Sequence, residues 1–158
     1  MESTIRPATA GDAARLRTLQ AELTEAAPKL LDAAIAQIDA TDSKTANPRA
    51  ASLTGGFTLL VSVNEANIAV GYLLALAGET THIAELVVDP AYRREGRANE
   101  LLTTLIEQSE EPITVHVAVD NTAARELYQT VGFHQQTRND DQFEHAAGLT
   151  LRYPAGKR

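Results

Sequence analysis

The order of hydrophobic patterns between residues 81 and 131 restricts the fold of this chain more than any other feature. "ITVHVAV" (113–119) alternates with period two, as strands do, and "THIAELVV" (81–88) is a second extended segment. Apolar stripes at helical spacing predict a helix over 97–109 and another that ends at Gly132, a C′ residue. Because a strand–helix–strand unit needs a crossover connection, at least one strand pair must be parallel. The two stripes consist of Ala98, Leu101, Leu102, Leu105 and Ile106, and of Ala124, Leu127, Tyr128 and Val131.

The rest of the chain predicts antiparallel strands and two further helices. Extended segments at 57–63, 67–76 and 81–88 are separated by short turn sequences, which indicates a meander. A first helix should follow a short N-terminal strand, with Thr9 as N-cap and Asp12 completing a variant capping box. The sequence therefore predicts an α/β (α+β) fold with a mixed sheet and helices packed over it. The other expected elements are a helix over 28–38, a polar loop over 39–56, and final strands at "FHQQTR" and "GLTLRY".

Composition excludes several classes of function. The 158 residues suit one domain spanning 1–158, since domains commonly run about 100 to 200 residues. A formal net charge of −7 argues against a nucleic-acid partner, because counterion release rewards clustered Lys and Arg. The chain has no cysteine, which excludes disulfides, thiolate metal sites and a cysteine nucleophile. We expect a cytoplasmic protein with no membrane partner, since the start has no signal pattern and "IAVGYLLALAG" is far shorter than the roughly 20 residues of a membrane helix.

The turn "DPAYRREGRA" (89–98) places three arginines around Gly96 in this acidic chain. Free backbone N–H groups and the positive end of the next helix converge there, and the glycine lets a ligand approach closely. Surface charges are screened beyond about 8 Å, whereas each charge-assisted hydrogen bond contributes roughly 1.5 to 3 kcal/mol, so the net charge does not forbid a polyanion. We interpret the turn as an anion cradle; the alternative is a solvated turn paired with Glu95 or Glu100. The arginines are Arg93, Arg94 and Arg97.

Two sequence motifs, at residues 93–98 and 121–133, indicate what the cradle binds. The cradle has neither a Walker loop nor the glycine pattern of dinucleotide folds. Arg93-x-x-Gly96-x-Ala98 instead resembles the pyrophosphate-binding signature of the GNAT N-acetyltransferase superfamily. "IRPATAGDAARLRTL" and "VGYLLAL" are similar to the first strand–helix unit and the third strand of that family, so the resemblance covers nearly the whole chain. The downstream positions that match are Asn121, Ala124, Tyr128 and Gly132-Phe133.

The resemblance implies an acyltransferase that moves an acetyl group from acetyl-CoA, its cosubstrate, to an amine. It implies a GNAT-like, mostly antiparallel sheet of about six or seven strands, with about four helices on its two faces and a splay between strands 81–88 and 113–119. The N–H groups of residues 94–99 would hold the diphosphate, the arginines would add charge, and Arg97 stands where an aliphatic residue is commoner. Backbone groups near Val87 and Val88 would pair with the pantetheine arm and polarise the thioester carbonyl. The expected cofactor-binding residues are Val87, Val88, Arg93, Arg94, Gly96, Arg97, Ala98, Asn99 and Asn121.

The resemblance also implies catalytic residues. Tyr128 would be the general acid, because a phenol with a pKa of about 10 stays protonated at neutral pH; the alternative is a core residue of its helical stripe. Glu85 would receive the amine proton directly or through water, the alternative being a solvent-facing strand position. His116 is a second candidate base, although a lone strand histidine is more often structural. Neutralising a lysine-like ammonium at pH 7 costs roughly 4 to 5 kcal/mol, and an α-amino group only about 1 kcal/mol.

The acceptor and other classes of function stay open. We expect a small-molecule or peptide amine, bound by the second helix, the 39–56 loop and the final strands; homodimers are common in the family. The alternatives are a CoA-sensing or protein-binding module without catalysis, transfer of another acyl group, or transfer to a peptide amino terminus. We expect no metal site and no serine hydrolase, because the other histidines lack metal spacing and no serine lies in a Gly-x-Ser-x-Gly elbow. Those histidines are His82, His134 and His145.

Overall fold

In the part of the chain that the structure describes, a mixed sheet of seven strands has helices on both faces. The computed structural model of the protein describes residues 4–23, 26–42, 56–140 and 147–154. Two short 3-10 turns, Ala10–Asp12 and Pro90–Tyr92, precede the first and third helices. The strands are β1 (Thr4–Pro7), β2 (Phe57–Val63), β3 (Ala69–Leu76), β4 (Thr81–Val88), β5 (Ile113–Ala118), β6 (His134–Asn139) and β7 (Gly148–Tyr153), and the helices are α1 (Ala13–Gln20), α2 (Pro28–Asp42), α3 (Arg97–Gln108) and α4 (Thr122–Val131).

The sheet has the strand order β1-β2-β3-β4-β5-β7-β6. The strands β1 to β4 form the expected antiparallel meander, and β5, β7 and β6 are also antiparallel to one another. The pair β4–β5 is parallel, with α3 as the crossover between the two strands. The expectation of a mixed, mostly antiparallel sheet with one parallel crossover is confirmed.

The parallel strands β4 and β5 stay together for only part of their length. Their pairing in the described chain runs from Thr81 opposite Ile113 to Ile83 opposite Val115, after which the strands diverge. On its other side β4 keeps pairing with β3 as far as Val88, with a register shift on β3 between Leu74 and Ala75. The edge of β4 that faces β5 is therefore open beyond Ile83, which confirms the splay expected between these strands.

Alternating side chains bury both faces of the sheet. Under α3 and α4, Leu101, Leu102 and Tyr128 pack on residues of β3, β4 and β5. On the opposite face, Leu16 and Leu31 from α1 and α2 pack on residues of β2 and β3. Both stripes predicted from the sequence thus face the sheet, and the splay lies between two well-packed layers.

Several boundaries differ from those expected. The second helix extends to Asp42 instead of residue 38. The third strand begins at Ala69 instead of residue 67, because Asn67 lies in a turn with φ 64° and Asn64 Oδ1 accepts hydrogen bonds there. The capping box at Thr9 is present, with the Asp12 carboxylate accepting from the Thr9 backbone N–H at 2.8 Å.

Two further expectations concern the loop over 39–56 and the presence of membrane helices. Most of the expected 39–56 loop lies outside the described residues, so its part in acceptor binding stays a prediction. Among the residues that the structure describes, no helix is long and apolar enough to cross a membrane.

Candidate functional site

The turn between β4 and α3 has the conformation of an anion cradle. Asp89 follows β4 and accepts a hydrogen bond from the Ala91 backbone N–H at 2.9 Å, which starts the 3-10 turn. Arg94 and Gly96 then adopt φ values of 67° and 81°, in the left-handed region. Gly96 caps α3, and a Cβ added to it would meet no atom within 4 Å. Glycine is therefore favoured by the backbone conformation at this position and not by crowding.

The amides of the cradle are free to bind a ligand. Within the described chain, the backbone N–H groups of residues 94–99 donate no hydrogen bond, and the N–H of Glu100 is the first to do so, to the Gly96 carbonyl at 3.0 Å. The first amides of a helix have no partner inside it and carry its partial positive charge. This array at the start of a 12-residue helix suits an anion with several oxygens, such as a diphosphate.

The three arginines of the turn have different environments. Arg93 and Arg94 are exposed, and Arg93 Nε donates to the Val88 carbonyl at 3.0 Å, which holds its stem beside the end of β4. Arg97 is buried, with a side chain that is 1% exposed, and its Nε donates to Glu95 at 2.8 Å. That guanidinium is already paired within the protein, and the charge expected of it toward a ligand stays a prediction. Its backbone N–H stays in the cradle.

A groove of about 540 Å³, which we call the cradle groove, runs from this turn to α4. It brings together every residue that the sequence predicted to bind the cofactor, from β4, the turn, α3 and the start of α4. Asn121 Oδ1 also caps α4 by accepting from the Ala124 N–H at 3.1 Å, so the two roles expected for it are compatible. The lining includes Val87, Val88, Arg93, Arg94, Gly96, Arg97, Ala98, Asn99, Asn121 and Tyr128.

A second groove of about 540 Å³, the splay groove, opens where β4 and β5 diverge. Glu85, His116 and Asp120 contribute to its walls. Six residues line both grooves, so the cradle continues directly into the gap in the sheet. The shared residues are Glu22, Leu23, Leu86, Asn121, Ala124 and Tyr128.

Tyr128 lies where the two grooves meet. It is 4% exposed and packs edge-on against Phe133, with ring centroids 5.2 Å apart. Burial raises the pKa of its hydroxyl further above the ordinary value, so the phenol is protonated at neutral pH. Its hydroxyl donates no hydrogen bond to another described residue, although the side chain lines both grooves. Tyr128 is thus both a core residue of α4 and an available proton donor.

Glu85 is buried, which excludes the solvent-facing alternative. It is 4% exposed, and its carboxylate accepts from Tyr72 Oη at 2.7 Å, Gln20 Nε2 at 2.9 Å and the Ala27 backbone N–H at 2.5 Å. All of these donors are neutral. Burial, followed by the Glu85 contact, raises the pKa of Tyr72, so Tyr72 remains a donor. The sequence analysis did not predict that Gln20 and Tyr72 belong to the site. Their signal was a polar group among buried positions, Gln20 on α1 and Tyr72 on β3.

His116 lies on β5 beside His82 of β4, with ring centroids 4.8 Å apart. His116 Nδ1 lies 2.9 Å from Thr150 Oγ1, and His82 Nδ1 lies 3.0 Å from Thr114 Oγ1. Partial desolvation lowers the pKa of both histidines, of which His82 is half-buried and His116 exposed, and for His82 the proximity of His116 lowers the pKa further. His116 also lines the splay groove. In the described residues, no group of three or more His, Asp or Glu side chains is placed to hold a metal ion.

Comparison with known sequences places these features in a family. Residues 21–133 match the model of the acetyltransferase (GNAT) family. The chain is 39% identical over 74 residues to the [ribosomal protein bS18]-alanine N-acetyltransferase of Haemophilus ducreyi, a match covering 44% of this chain and 50% of that protein. It is 38% identical over 79 residues to the mycothiol acetyltransferase of Clavibacter sepedonicus, covering 49% of this chain and 26% of that protein. The chain thus spans about half the length of the first relative and about a quarter of the second.

Comparison with solved structures shows the same fold. Arabidopsis thaliana NAA60 in complex with a bisubstrate analogue has a TM-score of 0.74 at 16% identity, over 96% of this chain and 97% of that one. At this identity the similarity shows a shared fold. The family match covers most of the chain and includes both motifs of the cradle and of α4. The chain belongs to the acetyltransferase (GNAT) family.

Proposed function

We propose that this protein is an acetyl-CoA-dependent N-acetyltransferase whose acceptor amine attacks directly in a ternary complex. The observation that carries the proposal is the continuity of two grooves, one lined by free amides and arginines, the other by groups able to move protons. Tyr128 lies at their junction. Such a channel would bring a polyanionic donor and an amine to opposite sides of one phenol.

The residues of the cradle groove fit acetyl-CoA. The free N–H groups of residues 94–99 and the exposed Arg93 and Arg94 would hold its diphosphate. Backbone groups near Val87 and Val88, beyond the last β4–β5 pair, would bind the pantetheine arm, and an N–H there would polarise the thioester carbonyl. When bound, acetyl-CoA supplies an activated acetyl group on a thiolate leaving group. The structure of Arabidopsis thaliana NAA60 has also been solved in complex with acetyl-CoA.

Tyr128 is the proposed general acid. A buried phenol with a raised pKa stays neutral, and it can give its proton to a thiolate as that charge develops. Because its hydroxyl has no partner among the described residues, no internal hydrogen bond has to break first. These features support a proton donor at the junction of the grooves.

Two side chains are candidates for the base, and their contacts favour His116. Glu85 accepts hydrogen bonds from three neutral groups, so taking a proton would disrupt contacts that are already made. His116 has a lowered pKa, which makes it neutral at pH 7, and Thr150 contacts its Nδ1 and leaves the other nitrogen for an amine or a water. We propose that His116 receives the proton and that Glu85 keeps its hydrogen bonds to Tyr72, Gln20 and Ala27.

The charges of the splay groove favour a cationic acceptor. Its described lining includes the carboxylates of Glu22, Glu85 and Asp120 but no lysine or arginine. A carboxylate next to the reacting amine would keep it protonated, so the carboxylates better serve a second positive charge on the acceptor. We propose an amine or peptide amino terminus that carries such a charge. Free amino acids, whose carboxylate adjoins the amine, would be disfavoured.

The direct test measures acetyl transfer from acetyl-CoA to a matched amine panel by mass spectrometry. The panel contains polyamines, neutral monoamines, free amino acids and short peptides with a basic, neutral or acidic second residue. We expect acetylation of the cationic amines and of the basic peptides, at rates that decrease as salt rises. Faster transfer to the acidic peptides would contradict the acceptor class. Binding of CoA with no transfer to any amine, or preference for another acyl-CoA, would support the alternatives.

A further inference from the structure

The first residue of α3 carries a cation into the interior of the protein. Arg97 is 2% exposed and has the largest fully buried side chain among the described residues. Its Nη1 donates to Ser62 Oγ at 2.9 Å and to the Val63 carbonyl at 3.1 Å. Its guanidinium carbon also lies 5.3 Å from the centre of the Tyr92 ring. Since an unpaired buried charge is costly, these partners stabilise the guanidinium at its buried position.

These contacts join the cradle to a distant part of the sheet. Ser62 and Val63 lie at the end of β2, where the register with β3 shifts, whereas Tyr92 belongs to the turn after β4. The guanidinium is rigid and planar, so its donors can fix several acceptors at set angles. The start of α3 is therefore anchored to β2 by side-chain and backbone contacts from one residue.

Glu95 is the remaining partner of Arg97, and its position matters for an anion. It lies within the cradle sequence, between Arg94 and Gly96, both of which line the cradle groove. Glu95 itself is not among the described residues that line that groove, and Arg97 Nε holds its carboxylate at 2.8 Å. A free carboxylate at this position would stand close to the amides that face the ligand and would repel a diphosphate.

We propose that Arg97 is a positioning residue for the donor: it anchors the cradle to β2 and holds the Glu95 carboxylate away from the diphosphate. The inference rests on the proposed function, since it assumes that the cradle binds a phosphate-bearing donor. In this proposal the guanidinium acts through its contacts with Glu95 and β2 and not by binding the donor. Its effect on binding is transmitted by the backbone of the turn and by Glu95.

A double-mutant cycle tests the inference. Arg97→Met keeps an unbranched side chain of similar length but removes the charge, so Glu95 is released, and we expect the dissociation constant for CoA to rise about tenfold. Glu95→Gln in the Arg97→Met background removes the repulsion and should restore affinity to within about threefold of wild type. Titration calorimetry of the wild type, both single variants and the double variant gives the four values.

A second readout separates positioning of the diphosphate from general loss of structure. Acetyl-pantetheine lacks the diphosphate, so Arg97→Met should lower kcat/KM for acetyl-CoA about tenfold and that for acetyl-pantetheine by no more than about twofold. If Arg97→Met does not fold, Arg97→Lys keeps the charge but cannot reach all the acceptors, and about a threefold loss of CoA affinity is expected.

Each outcome supports or overturns the inference. Unchanged CoA affinity in a folded Arg97 variant, a loss that Glu95→Gln does not reverse, or equal losses with both donors would overturn it. A wild-type protein that binds no CoA would overturn the proposed function instead, so the two failures are distinguishable.

Discussion

At the scale of single residues, the candidate site depends on how burial changes the groups that exchange protons. Burial raises the pKa of Tyr128, which keeps the phenol as an acid, and lowers the pKa of His116, which keeps the imidazole as a base. Both side chains line the splay groove. Both shifts favour the neutral form of each side chain, in which the phenol can donate a proton and the imidazole can accept one.

Replacing Tyr128 by phenylalanine should remove the acid and leave the fold intact. The hydroxyl has no partner among the described residues, so the free energy of unfolding should change little, while kcat should fall on the order of a hundredfold. Steady-state kinetics and CoA calorimetry measure the two effects. Tyr153→Phe is a matched control, because Tyr153 packs against the same Phe133 without lining either groove in the described chain. Unchanged kcat in Tyr128→Phe would remove Tyr128 from the mechanism.

His116→Gln should remove an acid limb from the pH profile of kcat/KM. The pKa of His116 is lowered below its usual value of 6.5, so wild-type activity should rise with pH below 6.5 and level off before pH 7. His82→Gln is the control, since His82 contacts His116 but does not belong to the described lining of the splay groove. An acid limb that persists in His116→Gln would assign the base elsewhere.

The same histidines link stability to pH. Because the folded pKa of both His82 and His116 is lowered, the unfolded chain binds more protons in the window between the lowered values and 6.5. Stability contributed by the neutral rings is present above that window and is lost as pH falls through it. The pH profiles therefore need to be measured where thermal denaturation shows each variant to be folded.

At the scale of elements, hydrophobic periodicity predicted the sheet, α3 and α4 well, because an element that buries one face needs apolar residues at regular spacing. The α3 stripe and the alternation of β5 survive with boundaries within one residue of those expected. The strand start at Asn67 was predicted wrongly although the turn formed with Asn64 is local, whereas the burial of Arg97 could not be predicted, since its partners Ser62 and Val63 are distant in sequence. The Gln20–Glu85–Tyr72 cluster was missed for the same reason.

The start of α3 gives a prediction at this scale. Gly96→Ala keeps space around the side chain but strains the backbone at φ 81°, so we expect a stability loss of about 1 kcal/mol and a several-fold weaker affinity for CoA. Gly11→Ala is the control, because an added Cβ there meets only Thr9 Oγ1 at 3.7 Å and φ is not positive. Thermal denaturation and CoA titration measure both quantities. A loss of stability with unchanged CoA affinity would contradict the role given to this turn.

At the scale of the whole molecule, the sheet brings two oppositely charged surfaces to one opening. The meander ends at a cradle with Arg93 and Arg94, while the buried Glu85 and the exposed Asp120 line the adjoining groove where β4 and β5 diverge. Sequence motifs predicted the first surface because its residues are contiguous. Of the second surface, Glu85 and His116 were named from the sequence; Glu22 and Asp120 were missed, since they come from separate elements and lie together only in the folded chain.

Calorimetric titration with CoA tests whether free amides and arginines at the start of α3 hold its diphosphate. We expect saturable binding of CoA at one site per chain by the folded wild-type protein. Pantetheine, which has the same arm without the diphosphate, should bind far more weakly. Absence of CoA binding, or equal affinity for the two compounds, would show that this turn does not bind the diphosphate.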